Sequence, residues 1–268
     1  MSNKVIVLED VNSSSFEFSK PFREDYLNIM TDPELLDQPI VVMNLLFQIM
    51  LDLKNNMFHT DDSYLYSPDD KNKNQMKMDL WENEFINTDK NELTKRYRTS
   101  QFLSNRNKKL MTTALDFLKN YKARVYTFKN SSGKDLTTSG GLIKDWYFSD
   151  NTGVFEIKIS LYWANMIVTL DKGKWNNLKL PVISEFKNVK QRFFILWLMT
   201  IKKYYGTTKN YRDILTGFKL NYKSRYEFVR GFLIPIKQKF DNKELNDDWF
   251  SFNYVLDENN ENNMGLFN

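Results

Sequence analysis

Residues 188–240 read NVKQRFFILWLMTIKKYYGTTKNYRDILTGFKLNYKSRYEFVRGFLIPIKQKF. Val189, Phe193, Leu196, Trp197, Met199 and Ile201 give the first part a helical period, dense enough for a buried helix. Tyr211, Ile214 and Leu215 form the small apolar face of a second, shorter helix. Tyr226, Val229, Phe232 and Leu233 recur at three and four and predict a third helix, with Lys223, Arg225 and Arg230 among them. Three helices, the middle one short and the last one basic, have the order of a helix-turn-helix. After a polar gap, WFSFNYVL (249–256) alternates like a strand. Residues 188–256 therefore predict a winged-helix domain.

The upstream half repeats this plan. Asp32 can cap a helix with Pro33 at its first position, and PIVVMNLLFQIMLDL (39–53) continues it, Pro39 kinking or restarting the helix. Val42, Leu45, Leu46, Ile49 and Met50 make its apolar stripe. TDKNELTKRYR (88–98) has a near match to a capping box and predicts a short helix. Leu110, Ala114, Leu118 and Tyr121 predict a longer one. RVYTF, GLIKDWYF and GVFEIKIS then read as strands, with a hairpin tip in SSGKDLTTSGG (131–141) and a turn at SDNTG (149–153). The expected fold class is α+β, two tandem winged-helix domains. An arm (1–31) precedes the first domain (32–160). A connecting segment (161–187) carries a short helix over 161–169. The second domain (188–256) is followed by a polar, frayed tail (257–268). Residues 54–80 read as weakly patterned, largely exposed loop.

Composition narrows the chemistry. The 268 residues suit two modest domains. There is no cysteine, which excludes disulfides and cysteine-ligated zinc or iron–sulfur sites. The single histidine, His59, rules out a histidine-clustered metal site and the histidine pair of a rolling-circle nickase, and leaves no evident Ser-His-Asp triad. SSGKD is too short for a phosphate-binding P-loop. Glu82, Glu84 and Asp89, or Asp145, Asp150 and Glu156, have no spacing that supports a carboxylate-only nuclease. The expectation is a protein without catalysis, cofactor, metal or small-molecule substrate. No apolar run reaches membrane-spanning length, and the expected location is the cytoplasm. Residues 1–80 carry 7 Lys/Arg and 14 Asp/Glu, residues 81–240 carry 30 and 13, and the last 28 carry one and 7. A basic centre between acidic ends points to a polyanion partner.

Five stretches in order carry a family resemblance: PIVVMNLLFQIM (39–50), NRNKKLMTTALDFLKNYKARVY (105–126), GVFEIKISLYWANMIVTL (153–170), FKNVKQRFFILWLMTIKKY (186–204) and YKSRYEFVRGFLIPIKQKFD (222–241). With them the chain resembles the plasmid replication initiators of the two-winged-helix, iteron-binding type. It departs from the family pattern at Gln238, Lys239 and Phe240, where an acid-Ile-Asn run is common. The resemblance implies double-stranded DNA as partner, the two modules docking on opposite ends of an origin repeat. It also implies a homodimer through the first domain, and recruitment of a host initiator and replicative helicase. A winged-helix transcription regulator shares every physical feature above. A protein-binding structural module shares the helices but lacks salt-sensitive DNA affinity.

In the second domain the candidate DNA contacts are Lys219, Asn221, Lys223, Ser224, Arg225 and Arg230. Arg225 is the expected base reader, because its fork matches guanine, and Lys223 the phosphate contact. Tyr226 reads as core or a phosphate contact. In the first domain Asn105, Arg106, Lys108 and Lys109 open the candidate recognition helix, with Asn107 beside them, and Arg98, Ser100 and Gln101 suit phosphates. Lys129 and Lys134 flank a wing tip.

Overall fold

The computed structural model describes residues 16–19, 33–55, 85–87, 91–103, 107–130, 132–149, 152–168, 175–178, 183, 186–200, 207–241, 252–257, 260 and 262–267. They form a mixed α+β structure of small antiparallel sheets and several helices, in two compact units. The first unit takes in Pro39–Trp175, and the second takes in Asn176–Asn268 together with 33–38. Most of the expected loop over 54–80, and the arm apart from β1 (Phe16–Ser19), lie outside the described residues.

Pro39 separates α1 (Pro33–Leu36) from α2 (Ile40–Asn55), so the helix restarts there. A proline has no N–H to donate and sits without cost where a helix begins. Val41, Val42, Leu45, Leu46, Ile49, Met50 and Leu53 of α2 are buried. The first unit's main sheet has the order β2 (Phe85–Asn87), β3 (Glu92–Arg98), β7 (Val154–Ser160), β6 (Ile143–Ser149), all antiparallel. The expected short helix over 88–98 is instead strand β3. Leu93, Lys95 and Tyr97 are buried while Arg96 and Arg98 are exposed, a period of two that no helix accommodates. α3 (Lys108–Asn120) packs on α2 and β6. α4 (Leu161–Val168) packs on α2 and β7 and buries Trp163, Ala164 and Ile167, so this helix belongs to the first unit. Between α3 and β6 a ribbon of β4 (Arg124–Lys129) and β5 (Asp135–Gly140) is paired only with itself. The side chain of Asn130 closes its tip by accepting from the N–H groups of Ser132 and Lys134.

The second unit begins from α5 (Val189–Thr200), in which Phe193 to Leu198 are all buried. A helix apolar on every side has to be enclosed. Phe194 touches the rings of Phe218, Phe232, Phe252 and Trp197, at 5.6, 5.2, 6.0 and 5.7 Å between centroids. After α5 come β9 (Thr207–Asn210) and α6 (Tyr211–Gly217). Next is a continuous helical rod made of α7 (Arg225–Phe228), a π-helical turn (Val229–Leu233) and α8 (Ile234–Asp241). The π turn answers Pro235. Its ring would crowd the carbonyl of Gly231 four residues back, and the ladder widens there, Ile234 N–H donating to Val229 five residues back. The sheet has the order β10 (Asn253–Leu256), β11 (Asn263–Phe267), β9. The expected frayed tail is thus the central strand of this sheet. Its spaced apolar residues Met264 and Leu266 are both fully buried, which outweighs the polar composition around them.

The two units repeat one order: helix, strand, short helix (the 3-10 turn Thr99–Gln101 in the first unit, α6 in the second), long helix, hairpin. In each the last strand of the hairpin lies between its partner and the early strand, as β3-β7-β6 and β9-β11-β10. Both arrangements are consistent with winged-helix domains, the β4–β5 ribbon being an insertion in the first.

Three outcomes follow from this packing. Leu266→Ala, inside the supposed tail, lowers stability by about 2–5 kcal/mol in denaturant unfolding. Gly141→Ala costs roughly 1–3 kcal/mol, because a Cβ there would stand 2.7–2.8 Å from the carbonyl oxygens of Tyr121, Leu118 and Lys119 at the end of α3. The third concerns Asp52 on α2, whose carboxylate accepts from Tyr97 Oη and Gln48 Nε2, both at 2.7 Å. Burial pushes its carboxyl above the ordinary aspartate range, against the pull of Tyr97, Lys95 and Gln48. A raised folded value favours the protonated form, so the stability it contributes is greatest in acid and is lost as pH rises through that value. Asp52→Asn therefore flattens the pH dependence of the melting temperature in the mildly acidic range.

Candidate nucleic-acid interface

The rod of the second unit opens with a cap that the sequence spells out as SRYE. Ser224 is the N-cap, and its Oγ accepts from Glu227 N–H at 3.2 Å. Glu227 Oε2 reaches back to accept from Lys223 N–H at 3.0 Å, one residue earlier than in the usual capping box. Lys223 therefore precedes the helix, and its direction relative to Arg225 is not set by the helical period. Phe228, Val229, Phe232, Leu233, Ile236 and Phe240 turn inward, and all are buried. Tyr226 is off that stripe and 69% exposed, so it is not part of the core. The outward side carries Lys223, Tyr226, Glu227, Arg230 and Gly231.

Arg225 is differently placed from its neighbours. It is half-buried, and its Nη1 donates to the backbone oxygens of Asp257 at 3.0 Å and Asn263 at 3.4 Å. These carbonyls flank the β10–β11 loop. The guanidinium thus braces the start of the helix against the wing. Lys219 is also engaged: it ends the turn after α6 at φ 49°, its ammonium pairs with Asp37, and its carbonyl accepts from Lys190 Nζ. Asn221 is exposed just before the cap.

In the first unit Asn107 is the N-cap of α3, and its side chain accepts from Leu110 N–H at 3.0 Å. Lys108 lies over the Phe148 ring at 5.3 Å, and Lys109 is exposed. Phe148 stacks on Phe155, and Phe155 touches Tyr97 and Phe102. Arg98, Val154 and Ser149 are in register across the sheet, so Arg98 and Lys108 are brought to the same sheet end. Gln101 Oε1 accepts from Arg98 N–H at 2.7 Å, and Thr99 ties the turn to Gly153 through both its N–H and its hydroxyl. Asn105 and Arg106 lie outside the described residues. Further along α3 the exposed residues are Thr113, Asp116 and Asn120, and Lys119 in its last turn is paired with Asp145 at 2.9 Å. On the ribbon, Lys129 is paired with Asp135 at 3.7 Å.

Among the described residues no group of three or more His, Cys, Asp or Glu could hold a metal ion. No helix among them is long and apolar enough to cross a membrane. No family model matches the chain and no curated protein matches it in sequence. Solved structures do match in fold, one of them that of an initiator protein crystallised on DNA. That structure is the crystal structure of the Pi initiator protein in complex with iteron DNA. The match covers 94% of this chain and 96% of that one, with a TM-score of 0.51 and 8% sequence identity. At that identity the likeness is one of fold, and it runs through both units.

The sequence pointed to Arg225 as the base reader, and the structure ties its Nη1 to two carbonyls of the wing. Arg225→Ala should lower stability by about 1–2 kcal/mol through the loss of two charge-assisted bonds to carbonyls. Thermal unfolding measures it. Arg225→Lys should recover part of the loss, since a lysine keeps the charge but not the fork.

Proposed function

We propose that this chain binds double-stranded DNA sequence-specifically, as a replication initiator acting on repeated sites at an origin and without catalysis of its own. The observation that carries this reading is the fold shared along both units with a protein crystallised on iteron DNA. The basic centre of the chain supports it, with 30 Lys/Arg against 13 Asp/Glu over residues 81–240.

In this reading each unit is a winged-helix domain that presents one helix to the duplex. α3 enters with its first turn, where Lys108 and Lys109 follow Asn105 and Arg106. Arg98 and Gln101 hold phosphates at the same sheet end. The rod of the second unit lies along the groove with Asn221, Lys223, Ser224 and Arg230. Lys219 and Arg225 support that surface. The first unit also forms the homodimer, and the complex engages a host initiator and replicative helicase in the cytoplasm.

The deciding experiment places the gene with its flanking DNA on a plasmid whose usual initiator is missing from the host. Autonomous replication is the expected result. Promoter repression without replication would leave a winged-helix transcription regulator in its place. In solution, affinity for duplex falls steeply with salt, and Lys223→Ala lowers the salt slope by about one while weakening all sequences alike. Affinity that does not change with salt would reject DNA as the partner.

A further inference from the structure

Of the exposed large aromatic residues described, Tyr226 is the more exposed, at 69% against 52% for Tyr147. A tyrosine ring in water is a ready apolar surface, and it gains from being covered. Its hydroxyl accepts from Arg230 Nη1 at 3.4 Å, one helical turn on. Among the described residues Arg230 makes no other hydrogen bond or ion pair, so its Nε and Nη2 edge is open. That edge is the side-on fork of a guanidinium, and it matches O6 and N7 of guanine.

The neighbouring groups are committed elsewhere. Arg225 is held by two wing carbonyls, Lys219 by Asp37, and Lys237 by Asp241 at 3.0 Å. The Ser224 hydroxyl caps the helix, and the Glu227 carboxylate holds Lys223 N–H. Gly231 follows Arg230 on the outward side, where a Cβ would stand 2.8 Å from Cε1 of Tyr222. The absence of a side chain there lets the Tyr222 ring lie against the helix beside Arg230.

Resting on the DNA-binding reading above, we propose that Tyr226 and Arg230 are the base-reading pair of the second unit, and that they recognise a guanine with a neighbouring thymine. Arg230 takes the guanine through its open edge. The Tyr226 ring covers the thymine methyl, and its hydroxyl holds the guanidinium plane in the orientation that guanine requires. Lys223 supplies charge to the strand backbone.

The test is selection from short random-sequence duplexes by the full chain and by Tyr226→Ala, Tyr226→Phe, Arg230→Ala and Arg225→Ala, with melting temperatures recorded for each. Tyr226 and Arg230 are exposed, so their variants should melt close to the unsubstituted chain. The unsubstituted chain should enrich a motif containing guanine beside thymine. Arg230→Ala should reduce the guanine preference roughly tenfold and leave the thymine. Tyr226→Ala should reduce the thymine preference, and uracil in place of that thymine should mimic it in the unsubstituted chain. Tyr226→Phe should keep the thymine and weaken the guanine. Arg225→Ala should lower affinity with the motif intact. Motifs unchanged in the Tyr226 and Arg230 variants, or a motif that changes with Arg225 alone, would overturn the assignment while leaving DNA binding in place. Failure of the unsubstituted chain to enrich any motif, with no salt-sensitive binding to duplex, would overturn both.

Discussion

The second unit depends on the enclosure of α5. Six consecutive residues, Phe193 to Leu198, are removed from water, and no single neighbour can cover a helix on all sides. Phe194 shows how the cover is assembled. Its ring meets Phe218 at the end of α6, Phe232 in the π turn and Phe252 at the entry to β10. The short helix, the rod and the wing are therefore fixed to one another through one aromatic group. The outward direction of Tyr226 and Arg230 follows from the inward direction of Phe228 and Phe232.

The first unit reaches the same order of elements with a different centre. There the sheet is wider, and α2, α3 and α4 close over it. An aromatic group of Tyr97, Phe102, Phe148 and Phe155 supports the sheet end where Arg98 and Lys108 stand. Among the described residues the β4–β5 ribbon has no counterpart in the second unit. Its Val125 is 71% exposed, so the ribbon adds surface more than core.

Charge is distributed in the structure less evenly than composition suggests. Lys119 pairs with Asp145, Lys158 with Glu92, and Lys237 with Asp241, so many cations of the basic centre are locally balanced. The more exposed of these pairs contribute little to stability, and the Lys158–Glu92 pair is largely buried, but all of them remove charge from the field that a polyanion meets. Among the described residues Arg98, Lys109 and Lys223 have no such partner, and Arg230 has only the Tyr226 hydroxyl. Lys134, Lys187, Lys209 and Arg212 are likewise exposed without an ion pair among the described residues, so the free positive charge includes the start of the long helix in each unit but is not confined to it.

Much of this was legible in the chain. The periods of α2, α3 and α5, the strands of the β6–β7 hairpin and the restart at Pro39 follow from local rules that need no partner. The basic centre and the absence of cysteine are properties of composition. The phase of the rod was not legible, because Tyr226 and Phe228 are both aromatic and only the position of Phe194 and Phe232 decides which one turns inward. Nor were the partners of Arg225, which are backbone oxygens 32 and 38 residues away. Strand β3 resembled a helix start until β7 supplied a ladder for it. The last strand carried too few apolar residues to stand out, and only pairing with β9 and β10 on both sides makes it central. Local spacing determines most of the helices and the β6–β7 strands. Long-range pairing and burial decide which face turns inward and which charged groups remain free for a partner.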